Sequence, residues 1–223
     1  VNLILLGFVW GQVQNITSED LVLRVGPSLQ IDGQLEEPIW RRALSRENIL
    51  VPHPDRDKAE QVETKVFLHQ DGDFLYVGFI CNDPSPQQIT ATVKQHDGEL
   101  RNDDSVYVLL LAGKNQEYIY FFGLNPLNTQ LDGRLSLVDG GIDVAWGTKW
   151  LSGAQKLARG WSAEIAIPLE IFTAREEDSR LNLLVSRVIP RLDPVFWGGP
   201  LEPAFSLEQI NLFRPVILLR KEK

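Results

Sequence analysis

From about residue 20 onward, apolar and polar positions alternate with a period of mostly two, and Gly, Asp, Asn and Pro punctuate the runs. That is the pattern of strands, whose successive side chains point to opposite faces. The clearest pair is Thr64–His69 and Phe74–Ile80, flanking Gln70-Asp71-Gly72-Asp73. An Asp-Gly tip supplies positive φ at little steric cost and predicts a hairpin. A second hairpin is expected from Ser105–Ala112 and Glu117–Leu124 around Gly113-Lys114-Asn115-Gln116. Further strands are expected at Gln130–Leu137, Thr148–Leu151, Trp161–Ile167, Leu181–Val188 and Ile210–Leu219. The run Val106-Tyr107-Val108-Leu109-Leu110-Leu111 is apolar on both faces, which predicts a central strand covered on both sides. Helical signal is scarce. Glu36-Glu37-Pro38 leads into Ile39, Trp40, Ala43 and Leu44, with Pro near the first turn, and predicts one short helix. Pro168–Phe172 predicts one further turn. The sum is an all-β fold, an antiparallel two-sheet β-sandwich with one or two short helices.

Length is compatible with a single domain over residues 20–219, because the 223 residues show no internal repeat, low-complexity block or Gly/Ser linker. Residues 1–9 form a short, almost wholly apolar run, below the roughly 20 residues of a bilayer-spanning helix. Such a run suits the core of a secretory signal whose remnant ends after Gly11, the alternative being a first buried strand. The expectation is therefore an exported protein, periplasmic, outer-membrane-associated or secreted. Asn15-Ile16-Thr17 has glycosylation spacing, a common triplet that carries little information.

Charge narrows the partners. With 22 basic and 30 acidic residues the net charge is −8, which argues against nucleic acid or an anionic membrane. One cysteine, Cys81, excludes an intrachain disulfide framework and a multi-Cys metal site. The absence of Met excludes Met ligation of a haem. Catalytic signatures are missing. Asp103 and Asp104 are strand neighbours whose side chains diverge, and so cannot form the facing carboxylate pair of a glycosidase. Glu36-Glu37 and Glu176-Glu177-Asp178 read as solvated turns, and His53, His69 and His96 are scattered. No Gly-x-Ser-x-Gly elbow or Gly-rich phosphate loop occurs. The expectation is a non-catalytic protein.

The aromatic residues carry more. Of six Trp, Trp40, Trp150 and Trp161 sit in element patterns and are expected in the core. Trp146 lies in the Gly- and Asp-rich stretch 139–147, where an indole either stacks on the C–H face of a pyranose or folds back to cap the sandwich. Trp197, in Pro194-Val195-Phe196-Trp197-Gly198, has the same two readings. Tyr118, Tyr120 and Phe122 line one strand face, a pattern of core packing more often than of a sugar platform. Arg101, Asn102 and Asp104, with Asn125 and Gln130 from a second turn, are candidate hydroxyl partners; the alternative is turn and capping chemistry. Asp103, Asp104, Asp132 and Asp143 offer oxygens for a structural calcium without matching an EF-hand spacing.

Ile31-Asp32-Gly33-Gln34-Leu35-Glu36-Glu37-Pro38-Ile39-Trp40 with Ala43 resembles the opening of family 9 carbohydrate-binding module-like domains. The resemblance continues through Thr64–Val66, Leu75–Phe79, Cys81-Asn82-Asp83-Pro84, Asn102–Val106 and Phe121–Pro126. Trp146, Trp150 and Gly160–Pro168 complete it, so that it covers roughly residues 29–190. It implies a DOMON-like, jelly-roll-type β-sandwich and an oligo- or polysaccharide partner, with Trp146 as one stacking wall, Trp197 as the candidate for the other, and calcium supporting the loops. Tyr107 stands where xylanase-attached members often carry an acidic residue. The Asn-Asp-Asp and Phe-Phe-x-x-Asn-Pro version is similar to a bacterial exported subgroup in which this domain precedes an outer-membrane-type β-region. Two alternatives follow from the same likeness. One is a haem-binding electron-transfer module using His69 or His96 with Lys94, and the other is a protein-interaction or plug domain of an outer-membrane protein.

Overall fold

The computed structural model describes residues 21–45, 62–111, 117–172, 180–192 and 212–219. The expectations placed on the first 20 residues, His53, the hairpin tip 113–116, residues 176–178 and Trp197 lie outside them. In chain order the strands are β1 (Leu21–Leu23), β2 (Leu44–Ser45), β3 (Thr64–Gln70), β4 (Phe74–Asn82), β5 (Ser105–Leu111) and β6 (Tyr118–Leu124). There follow β7 (Gln130–Ser136), β8 (Ile142–Asp143), β9 (Leu151–Leu157), β10 (Gly160–Pro168), β11 (Arg180–Val188) and β12 (Arg214–Leu218). They form two sheets, one of seven strands in the order β1-β12-β11-β5-β6-β7-β8 and one of five in the order β2-β3-β4-β10-β9.

The β-sandwich expected from the period-two pattern is the fold. Its core lies between the sheets. Val106, Val108 and Leu110 of β5, Phe122 and Leu124 of β6, and Leu181, Leu183 and Val185 of β11 meet Val77 and Phe79 of β4 and Trp161, Ala163 and Ile165 of β10. As expected, β5 is central and buried throughout; its alternate residues Tyr107, Leu109 and Leu111 enter a second cluster on the outer face, with Leu100, Phe121 and Leu184. The β3–β4 hairpin forms as read, with Gly72 at φ +100° and the Asp71 carboxylate accepting from the Asp73 and Phe74 N–H groups. Trp40, Trp150 and Trp161 are buried, as expected.

Three local expectations are corrected. The sheets are not wholly antiparallel, because β1 pairs with β12 in parallel. Strand β9 begins at Leu151, where the expected strand ends; it is an edge strand with Leu151, Gln155 and Lys156 exposed and Gly153 buried, so it lacks an apolar alternation. Residues 35–42 form turns rather than a helix, held by Trp40 N–H to Glu37 O at 3.0 Å and Ala43 N–H to Ile39 O at 2.8 Å. The reason is tertiary. This segment is a strap over the outer face of the five-stranded sheet, where Leu35 and Ile39 pack with Trp40, Tyr76 and Ala166. Glu164 of β10 anchors it, accepting from Asp32 and Gly33 N–H at 3.0 and 2.9 Å and from Trp40 Nε1 at 2.9 Å. Gly33, at φ +86°, lies on β9 so closely that a Cβ would stand 2.6 Å from the Ala154 nitrogen. The expected turn after Pro168 is a 3₁₀ turn over Leu169–Ile171.

Candidate functional site

The residues singled out at the ends of β5 and β6 build a frame. Asp103 is fully buried; its carboxylate accepts from the Thr92 N–H and hydroxyl and the Val93 N–H, each at 2.9 Å. Asn125, also fully buried, donates to Val93 O at 2.8 Å and to Asp103 Oδ2 at 2.9 Å, and accepts from the Leu127 and Thr129 N–H groups. Thr129 adds a hydroxyl bond to Val93 O at 2.7 Å. Further along, Asp97 N–H donates to Gln130 O at 2.9 Å and Asp97 Oδ1 accepts from Asp132 N–H at 3.3 Å. The segment 92–97 is thereby bolted to the β6–β7 turn and to β7, at the mouth of the sandwich.

That bolting opens a groove of about 570 Å³, within the range of small-ligand sites. It is lined by segment 94–96, turn 127–130, the start of β9 and Ile31 of the strap. Leu127 and Leu151 present exposed apolar surface to it. A polar row runs between them: Gln130 Nε2 donates to Ser152 Oγ at 2.9 Å and Trp150 O at 3.3 Å, and Ser152 Oγ donates to Asn128 Oδ1 at 2.8 Å. Among the described residues, Gln130 Oε1 and Asn128 Nδ2 keep unused hydrogen-bonding capacity, which suits hydroxyl-rich ligands. Lys94 and His96 complete the lining as exposed cationic or potentially cationic groups. Trp150 forms part of the wall but is sealed, its Nε1 donating to Asp132 Oδ1 at 2.9 Å.

Of the residues expected to meet a sugar, the structure brings Gln130 into this groove, alongside the haem candidates Lys94 and His96, and leaves the other described ones elsewhere. Trp146 is partly buried, its ring 4.9 Å from Tyr120 and 6.4 Å from Phe122, and its backbone N–H donates to Asp143 Oδ1 at 3.1 Å. It thus leans on the core without being sealed. Arg101 is exposed and paired with Glu99 at 3.0 Å, and Asn102 is exposed beside it. Asn125 is corrected from ligand partner to frame residue, because its side-chain bonds are spent on the turn. Asp104 is likewise corrected: it is buried and accepts from Thr90 N–H at 2.8 Å. Burial raises its carboxyl above the usual range, against the pull of Thr90 N–H, Arg187 and Arg191. Beside it, Arg191 grips both oxygens of buried Asp83 at 2.7 Å.

The calcium candidates do not converge. Asp103 caps segment 92–93, Asp143 pairs with Arg134 at 2.9 Å, and Asp132 holds Trp150 and the Thr148 N–H. Asp132 instead neighbours His96 and Asp97, with one ligand-type atom of each within 4.8 Å of the others. Burial pushes the Asp132 carboxyl up, opposed by the Trp150 bond. Of the haem candidates, His69 is buried, bonded to Pro27 O at 2.8 Å and stacked on Tyr76, while His96 and Lys94 stand in the groove. Leu127, Leu151, Ser152 and Asn128 carried no motif; the signal that was available was the Asn125–Gln130 turn itself. Among the described residues, no helix is long and apolar enough to cross a membrane.

No protein-family model and no curated protein matches the chain. Solved structures similar in fold include the following two. One is a family 9 carbohydrate-binding module from Caldicellulosiruptor kristjanssonii in complex with cellotriose, 17% identical, with a TM-score of 0.55 over 92% of this chain and 95% of that one. The other is a protein of Bacteroides uniformis ATCC 8492 provisionally assigned as carbohydrate-binding, 10% identical, with a TM-score of 0.66 over 90% and 99% of the two chains. The chain therefore has the β-sandwich fold of a family 9 carbohydrate-binding module, the fold its sequence resembles.

Proposed function

We propose that the protein is a non-catalytic carbohydrate-binding domain that takes an oligosaccharide in the groove between segment 94–96, turn 127–130 and the start of β9. The carrying observation is the row Asn128-Ser152-Gln130, oriented by its own hydrogen bonds and flanked by exposed Leu127 and Leu151. Alternating polar and apolar surface of this kind complements the hydroxyl edge and C–H face of a sugar ring. Both similar folds belong to proteins associated with carbohydrate, one of them holding cellotriose, which supports the same reading. Affinity on the order of 4–8 kcal/mol, millimolar to micromolar, fits so open a site. The apolar run over residues 1–9 supports export to where polysaccharides are met.

Trp146, outside the groove lining, is the alternative stacking site on the carbohydrate reading, because it is only partly buried in a loop rich in Gly and Asp. Affinity electrophoresis through gels containing soluble polysaccharides separates the two. Gln130→Ala and Ser152→Ala should lose retardation at least fivefold while keeping the wild-type melting temperature. Unchanged retardation in both, with loss only in Trp146→Ala, would move the site to the indole.

A further inference from the structure

The ten groove-lining residues include Lys94 and His96 and no Asp or Glu, although the chain carries 30 acidic against 22 basic residues. Acidic groups nearby are accounted for. Asp97 pairs with His96, Oδ2 to Nδ1 at 2.8 Å, and so offsets the imidazole when it is protonated. Asp132 lies buried behind the wall with its two oxygens held by Trp150 Nε1 and Thr148 N–H. Lys94 has no ion-pair partner among the described residues. A lone ammonium in a concave site attracts anions. The aromatic contribution is also unusual: Trp150 is the only aromatic residue in the lining and is 5% exposed, so the groove offers no flat platform for a neutral glucan chain. What it offers is an ammonium, an imidazole, two amides and the hydroxyls of Ser152 and Thr129, the latter donating to Val93 O.

We infer that the groove selects an acidic saccharide, one whose carboxylate or sulfate meets Lys94 while its hydroxyls meet Gln130, Asn128 and Ser152. This rests on the carbohydrate-binding reading and sharpens it. A charge-assisted hydrogen bond from Lys94 to a carboxylate, partly withdrawn from water, is stronger than a neutral one and tied to salt concentration. The Asp103–Asn125–Val93 frame holds the segment that carries Lys94, so the charge is presented from fixed backbone rather than from a loose loop.

The test is isothermal titration of the full chain at low salt with a galacturonate trimer, a sulfated galactose oligomer and cellotriose. The expected result is an affinity for one or both acidic ligands about tenfold above that for cellotriose, eroding as salt is added. Lys94→Ala should bring it down to the neutral level, while Lys156→Ala, exposed on β9 outside the groove, changes nothing. The galacturonate and sulfated arms distinguish carboxylate from sulfate as the anion. Equal or tighter binding of cellotriose overturns the inference and leaves the carbohydrate reading standing. Acidic binding that Lys94→Ala does not weaken also overturns it, and no binding by any of the three overturns both.

Discussion

Glu164 shows how one side chain ties distant parts of the sequence together. It is fully buried, and its three donors come from the strap 124 or more residues earlier. Burial nevertheless dominates, raising its carboxyl to about 6 from an ordinary 4.5. An acid whose folded value lies above its unfolded one favours the native state more once it is protonated. Stability should therefore rise as pH falls from 7 through 6 to 4.5, by about 1.5 kcal/mol from this group. Asp71 works in the opposite sense at lower pH. Burial raises it, but bonds from Tyr76, Ser28 and the Phe74 and Asp73 N–H groups outweigh this and bring it to about 2. Its contribution is lost only as pH falls from about 4 toward 2. Denaturant unfolding at pH 7 and pH 4.5 checks the claim: wild type should gain about 1.5 kcal/mol more on acidification than Glu164→Gln. Parallel profiles for the two proteins would refute it.

At the scale of elements, the segments that carry the family resemblance meet each other rather than a ligand. The Ile31–Ala43 opening docks on the Gly160–Pro168 strand through Trp40 and Glu164, with Ser162 Oγ donating to Gly33 O at 2.6 Å. The Asn102–Val106 segment closes on Asn125-Pro126 through Asp103. Each pairing needs tight backbone approach. A Cβ at Gly153 would overlap Asp32 and Gly33 main-chain atoms, so Gly153→Val should lift the strap and cost about 1–3 kcal/mol. In hydrogen exchange, the Asp32 and Gly33 amides should lose protection in that variant while those of β5 and β6 keep theirs. Retained protection at Asp32 and Gly33 would mean that Glu164 holds the strap without the close fit. The strap also explains a failed expectation. Glu36 to Leu44 has the apolar spacing of a helix, but bonds to a strand more than a hundred residues away decide its shape, and local spacing cannot report them.

For the whole molecule, periodicity and turn chemistry made most strands legible, because a strand with one covered face alternates and a central strand covered on both faces, such as β5, reads as an unbroken apolar run. The polar edge strand β9 escaped, since an exposed edge needs no such alternation. Asp103 and Asn125 were legible as important but not as to role. Polar residues clustered at strand ends serve frames as often as ligands, and here the frame consumes their bonds. The groove itself was mostly illegible. Lys94, Leu127, Leu151 and Ser152 reach it from three separate segments; of the expected sugar-binding residues only Gln130 lines it, and Lys94 and His96 carry the haem expectation instead. The most direct test of a saccharide groove at this place is an amide chemical-shift titration of the labelled protein with a galacturonate trimer and with cellotriose. The account predicts saturable shifts concentrated at residues 94–96, 127–130 and 150–152. Shifts confined to Trp146 and its neighbours on β6, or no shifts at millimolar ligand, would contradict it.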